Sequence, residues 1–193
     1  MRVRSWMAVG LLAICVGSGA AQMGAAPAAG PVGAPMDPAK AEDVLLSMFE
    51  HELMGVVETM PADKFSFAPM SSAIAGSKYE GVRTFAQECT HIAQANYFFF
   101  ASFGGPKPTV DVRGLSNLTT KAEIVSALQA SFAYAHQAVA TITPANAFET
   151  IKGVDGMQTR ATVASFAVAH GFDHYGQMVE YLRMNGLLPP GSK

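Results

Sequence analysis

Residues Ala167–Gly186 read AVAHGFDHYGQMVEYLRMNG, and the spacing inside and just ahead of this stretch decides the fold class. Val163, Ala167, His170, His174, Met178 and Tyr181 recur at three and four residues, the repeat that gathers side chains on one face of an α-helix. Gly186 closes the run as a C-cap, and Pro189-Pro190 prevents continuation, as expected past a helix end. Two of the residues in this apolar row are histidines, four apart. Burying two imidazoles side by side takes polar nitrogens out of water, and each needs a partner. Two readings stand at this point: core histidines satisfied separately, or a pair that shares one metal ion.

Three upstream segments carry the same periodicity. The first helix is expected from about Pro38 to Met60, with Asp37 as N-cap, Pro38 in the first turn and Pro61 as the stop. Its stripe reads Leu45, Phe49, Leu53, Val56 and Met60. The second is expected over about Tyr79–Phe103, with Phe85, Cys89, Ile92, Asn96, Phe99 and Phe103 on one face and Gly104-Gly105-Pro106 after it. The third opens at Thr120-Lys121-Ala122-Glu123, a capping-box pattern, and carries Val125, Leu128, Phe132, Ala135, Val139 and Ile142 up to Pro144. The fourth spans about Thr159–Asn185. No strand alternation stands out, so the expected class is all-α, a four-helix bundle. The connections around Pro61–Lys78 and Gly104–Thr119 are longer than an antiparallel hairpin needs. Long loops at a bundle end are where a substrate mouth is built.

The bundle is expected over residues 37–193, behind two other segments. Arg2 and Arg4, the apolar run Trp6–Val16 and the small residues Ser18–Ala21 read as a secretory signal peptide over 1–21. Ile14 precedes Cys15 where a lipoprotein signal wants a small residue, and no arginine pair is present. Residues 22–36, QMGAAPAAGPVGAPM, are rich in Ala, Gly and Pro and uncharged, a tether with no capacity to pack. These features predict a periplasmic or secreted protein with no stable membrane insertion after cleavage. Without Arg2 and Arg4 the 13 basic residues fall by two against 15 acids. The net charge near −4 and the lack of a basic run argue against a nucleic-acid partner. Cys89 is then the only cysteine, so no intrachain disulfide can form, and stability must come from core packing.

A catalytic zinc-type site uses three protein ligands and keeps a position open. The pair His170 and His174 supplies two, and His51, His91 and His136 are the candidates for the third. His91 lies on the shoulder of its stripe, while His51 and His136 lie off theirs. Periodicity alone leaves the choice open.

The segments GVRTFAQECTHIAQANYFF (81–99) and HGFDHYGQMVEYLRMNGLLPPGS (170–192), with MPADKFSFAP (60–69) after the first helix, resemble the DinB/YfiT-like family of four-helix metalloproteins. The resemblance covers residues 37–192. It implies a DinB-type bundle whose divalent metal, zinc or nickel, is held by one histidine of the second helix and an H-x-x-x-H pair of the fourth. Those positions are His91, His170 and His174 here. Relatives implied by the resemblance include thiol-dependent transferases and isomerases. The expected function is therefore that of an exported metal-dependent hydrolase or thiol-dependent transferase acting on a small-molecule substrate. The alternative is a non-catalytic metal- or ligand-binding bundle.

Other residues bear on that choice. Glu52 projects near the apolar side of the first helix and is the candidate general base. Glu88, three residues before His91, reads as solvent-facing polarity, with orientation of the His91 ring as the second reading. Asp173 and Gln177 flank the pair, Tyr175 and Tyr181 read as packing residues with a hydroxyl at the bundle margin, and Cys89 as a small core hydrophobe. The Tyr97–Phe100 cluster with Phe103 is apolar all round the helix, which predicts burial on several sides or a homodimer interface.

Overall fold

The computed structural model describes residues 31–70 and 75–191. The expected signal peptide and residues 22–30 of the expected tether lie outside the described residues. The chain parts into Met1–Ala34 and Pro35–Lys193, and the second unit holds every element below.

Four long helices form among the described residues: α1 (Pro38–Thr59), α2 (Phe85–Ala101), α3 (Lys121–Val139) and α4 (Arg160–Met184). Each begins where a side chain takes up orphaned backbone donors. Asp37 accepts from the amides of Ala39 and Lys40 ahead of Pro38. Thr84 with Gln87, Thr120 with Glu123, and Thr159 with Thr162 close reciprocal boxes at α2, α3 and α4. At the far end of α4, Gly186 takes a φ of 73°. The amide of Leu187 bonds Leu182 and that of Gly186 bonds Arg183, the paired pattern that ends a helix in a left-handed residue.

Packing runs α1 on α4, α4 on α2, α2 on α3 and α3 on α1. Consecutive helices α1 and α2 therefore sit on a diagonal of the bundle, as do α3 and α4. A diagonal crossing needs a long connection, which explains the length of the Met60–Thr84 link. The core is Leu46, Phe49, Leu53, Val56, Val57 and Met60 of α1, facing Phe85, Cys89, Ile92, Phe99 and Phe100 of α2. Ile124, Leu128 and Phe132 of α3 and Val163, Ala167, Met178 and Leu182 of α4 complete it.

The all-α reading holds for the bundle and misses a hairpin. Strands β1 (Thr150–Val154) and β2 (Met157–Thr159) pair antiparallel between α3 and α4. Asp155 and Gly156 both take positive φ, 49° and 85°, the geometry of a two-residue hairpin turn. A Cβ on Gly153 would fall 1.6 Å from the carbonyl oxygen of Met157, so only glycine fits where the strands approach. The helix stripes also shift slightly. Leu45 is exposed and Leu46 takes its core place; Ile124, not Val125, is fully buried. Helix α2 starts at Phe85, six residues later than expected from Tyr79. No helix of the described residues is long and apolar enough to cross a membrane.

Candidate metal centre

Three histidines meet in the seam between α2 and α4. His91 comes from the second turn of α2, and His170 and His174 from the middle of α4. One nitrogen of each lies within 4.8 Å of the others. Nε2 of His170 is 3.3 Å from Nε2 of His91. The His174 ring centroid stands 4.6 Å from each of the other two. The shoulder position of His91 on its helix wheel is what this seam requires, because the cluster faces α4 and not the bundle axis.

Gly171 lets α4 come close to α1 beside the cluster. A Cβ there would fall 2.2 Å from the Phe49 ring, which is itself wedged between Phe132 and Phe172 at centroid distances of 5.5 and 5.2 Å. The helix that carries two of the three histidines is thus seated on an aromatic platform.

The structure corrects the reading of Glu88. Its carboxylate is buried, 1% exposed, and Oε2 sits 2.7 Å from Nδ1 of His174. It serves His174 on the opposite helix, not the neighbouring His91. Both atoms are sealed from solvent and off the line of a well-formed hydrogen bond, with no other partner. A buried carboxylate and a buried ring nitrogen in this state leave charge and hydrogen-bonding capacity uncompensated. A divalent cation on the three imidazoles supplies the missing positive charge, and carboxylate–histidine–metal is a standard arrangement of such sites. Imidazole is a borderline donor suited to zinc or nickel. The residues present fit the ion.

Electrostatics point the same way. Burial, then Arg83, then the other two histidines push His91 down to about 4, with Glu88 opposing. His170 is lowered too, chiefly by burial and next by His174. Neutral imidazoles with free lone pairs are the form a metal needs. The rings are not equally covered: His174 is 5% exposed, whereas His91 and His170 are half-buried.

The remaining residues fall outside the cluster. The Glu52 carboxylate accepts from the Tyr175 hydroxyl at 3.1 Å, in the α1–α4 groove. Tyr181 donates to the carbonyl of Arg83 at 3.0 Å, a margin hydroxyl as expected. Gln177 bonds Asp173 on the exposed surface of α4. His51 is exposed. His136 is a boundary residue whose partners escaped the wheel: Nδ1 lies 2.6 Å from Asp43 and Nε2 3.0 Å from Glu50. Cys89 is buried, and burial with the adjacent Glu88 raises its thiol well above the usual range, the behaviour of a core residue. In the aromatic cluster Tyr97, Phe99 and Phe100 are buried while Phe98 is exposed.

Comparison with curated proteins gives no match. The family model described as the DinB superfamily matches residues 45–178, a span that includes all three histidines. The chain belongs to the DinB superfamily.

Proposed function

We propose that this protein is an exported metalloenzyme in which His91, His170 and His174 hold one divalent ion, zinc or nickel, for hydrolysis or thiol-dependent transfer on a small molecule. The observation that carries the reading is the convergence of three imidazoles from two helices above a sealed carboxylate. When bound, such an ion keeps a position open and lowers the pKa of a water or thiol placed there, giving a nucleophile at neutral pH.

The chain's own residues do the rest. With Oε2 of Glu88 2.7 Å from Nδ1 of His174, Nε2 of that ring would be the ligand nitrogen. His91 and His170, half-buried, form the solvent-facing side of the cluster. Phe99 and Phe166, with ring centroids 5.3 and 6.2 Å from His170, pack against that ring and hold it in place. Glu52, bonded to the residue next to His174, is the candidate for proton transfer.

One observation favours the second reading, a non-catalytic metal- or ligand-binding bundle. The acid touching the cluster, Glu88, is sealed from solvent and cannot exchange a proton with a substrate. Elemental analysis of untagged protein prepared without chelator, beside His174→Ala, tests the shared core of both readings. About one divalent metal per chain, lost in the variant, is the expected result. No metal in either protein after reconstitution with zinc and nickel would overturn it. Glu52→Gln then separates the two: an enzyme loses turnover and keeps its metal.

A further inference from the structure

Next to His91 the surface forms an open depression of about 510 Å³, lined among others by Arg83, Gln87, Thr90, Gln94 and Ser116. It is built where two connections meet, the segment ahead of α2 and the 3-10 turn Arg113–Asn117. Its members are held in place. The Tyr181 hydroxyl bonds the Arg83 carbonyl, Gln87 is fixed by the capping box with Thr84, and Gln94 donates to the carbonyls of Val112 and Arg113.

Arg83 is the one charged side chain in this lining. Among the described residues it forms no ion pair with a carboxylate. Arg83 and His91 line the same depression, so the arginine stands beside the histidine cluster. The rest of the lining is uncharged: amide, hydroxyl and imidazole groups with Gly81 and Val82.

We propose that Arg83 is a specificity-determining residue that binds the carboxylate of a small acid whose reactive group reaches the histidine cluster. The guanidinium fork matches a carboxylate with two parallel N–H···O bonds. One guanidinium among neutral groups balances a monoanion, whereas a dianionic phosphate needs more positive charge than this depression holds. This inference rests on the metal reading above for the second end of the ligand only.

The test is calorimetric titration of the metal-loaded protein with 3-mercaptopropionate and with 2-mercaptoethanol, a neutral thiol of similar reach. The wild type should bind the acid about fivefold more tightly than the neutral thiol, the size expected for a solvent-screened charge pair. In Arg83→Gln that preference should vanish with metal content unchanged, and Arg83→Lys should keep part of it. Equal preference in wild type and Arg83→Gln, at equal metal content, would overturn the carboxylate site and leave the metal reading standing. If the wild type proves to hold no metal, propionate alone decides. A shift of the Arg83 side-chain N–H resonance on adding propionate, absent with propanol, supports the subsite, and no shift overturns it.

Discussion

Oε2 of Glu88 lies 2.7 Å from Nδ1 of His174, and the two atoms are enclosed together with no well-formed hydrogen bond to either. A carboxylate at this distance favours a proton on Nδ1 and leaves the other ring nitrogen the more basic. Glu88→Ala is therefore expected to weaken metal binding by about 10–100-fold. Competition against a chromophoric chelator measures this, with far-UV circular dichroism showing the helices intact. Unchanged affinity in a folded variant would remove Glu88 from the account of the site.

Two glycines of α4 make opposite predictions. Gly171→Ala drives a methyl into the Phe49 ring, which Phe132 and Phe172 hold from either side. Overpacking of this kind costs about 1–3 kcal/mol. Gly176 has open space around its missing Cβ, so Gly176→Ala should stabilise by about 0.5–1 kcal/mol through helix propensity and unfolded-state entropy. Urea denaturation of both variants checks the pair. Equal effects would contradict the proposed seating of α4 on α1.

His136 couples α3 to α1 through Asp43 and Glu50. Burial opposes its charging, and the two carboxylates outweigh burial, so its pKa in the folded chain stands above the ordinary 6.5. Protons bind the folded state more tightly than the unfolded one, and the stabilisation is full below about pH 6.5. It is lost as pH rises through the raised value. Denaturation midpoints measured across this window should fall for the wild type and fall less for His136→Gln. Parallel curves would show that the clasp contributes nothing.

Lys121, the first residue of α3, donates to the carbonyls of Glu58 and Met60 at 2.8 and 2.7 Å. The end of α1 has no basic residue of its own in its last turn, so its free carbonyls depend on this neighbour. Lys121→Met removes the donors together with the ammonium that stands over the Phe65 ring, and should cost about 1 kcal/mol. Thermal unfolding measures it; a Tm equal to that of the wild type would contradict the capping role.

The bundle was legible because its helices announce themselves twice, by apolar repeats at three and four residues and by caps such as Asp37, Thr120 and Gly186. What escaped has physical causes. Leu45 and Leu46 are adjacent, so the stripe of α1 could be phased on either, and packing selects Leu46. The hairpin strands are only five and three residues long, too short for alternation to show. The signal that could have found them was Asp155-Gly156, a dipeptide suited to two consecutive positive φ values. At the site, the His170–His174 pair stood out as polar groups in an apolar row. His91 needed the family resemblance, because a residue in a seam between two helices sits off the centre of its stripe. Glu88 was read as solvent-facing because lone acids seldom bury. Its spacing from His91 places the two on one face of α2, and this was the available hint.

X-ray absorption at the metal K-edge, on protein carrying about one zinc or nickel per chain, tests the central claim most directly. The account predicts scattering from three imidazole rings, one each from His91, His170 and His174, with a further light-atom ligand at the open position. The imidazole signal should fall in His91→Ala. A shell containing sulfur from Cys89, or one without imidazole scattering, would contradict it.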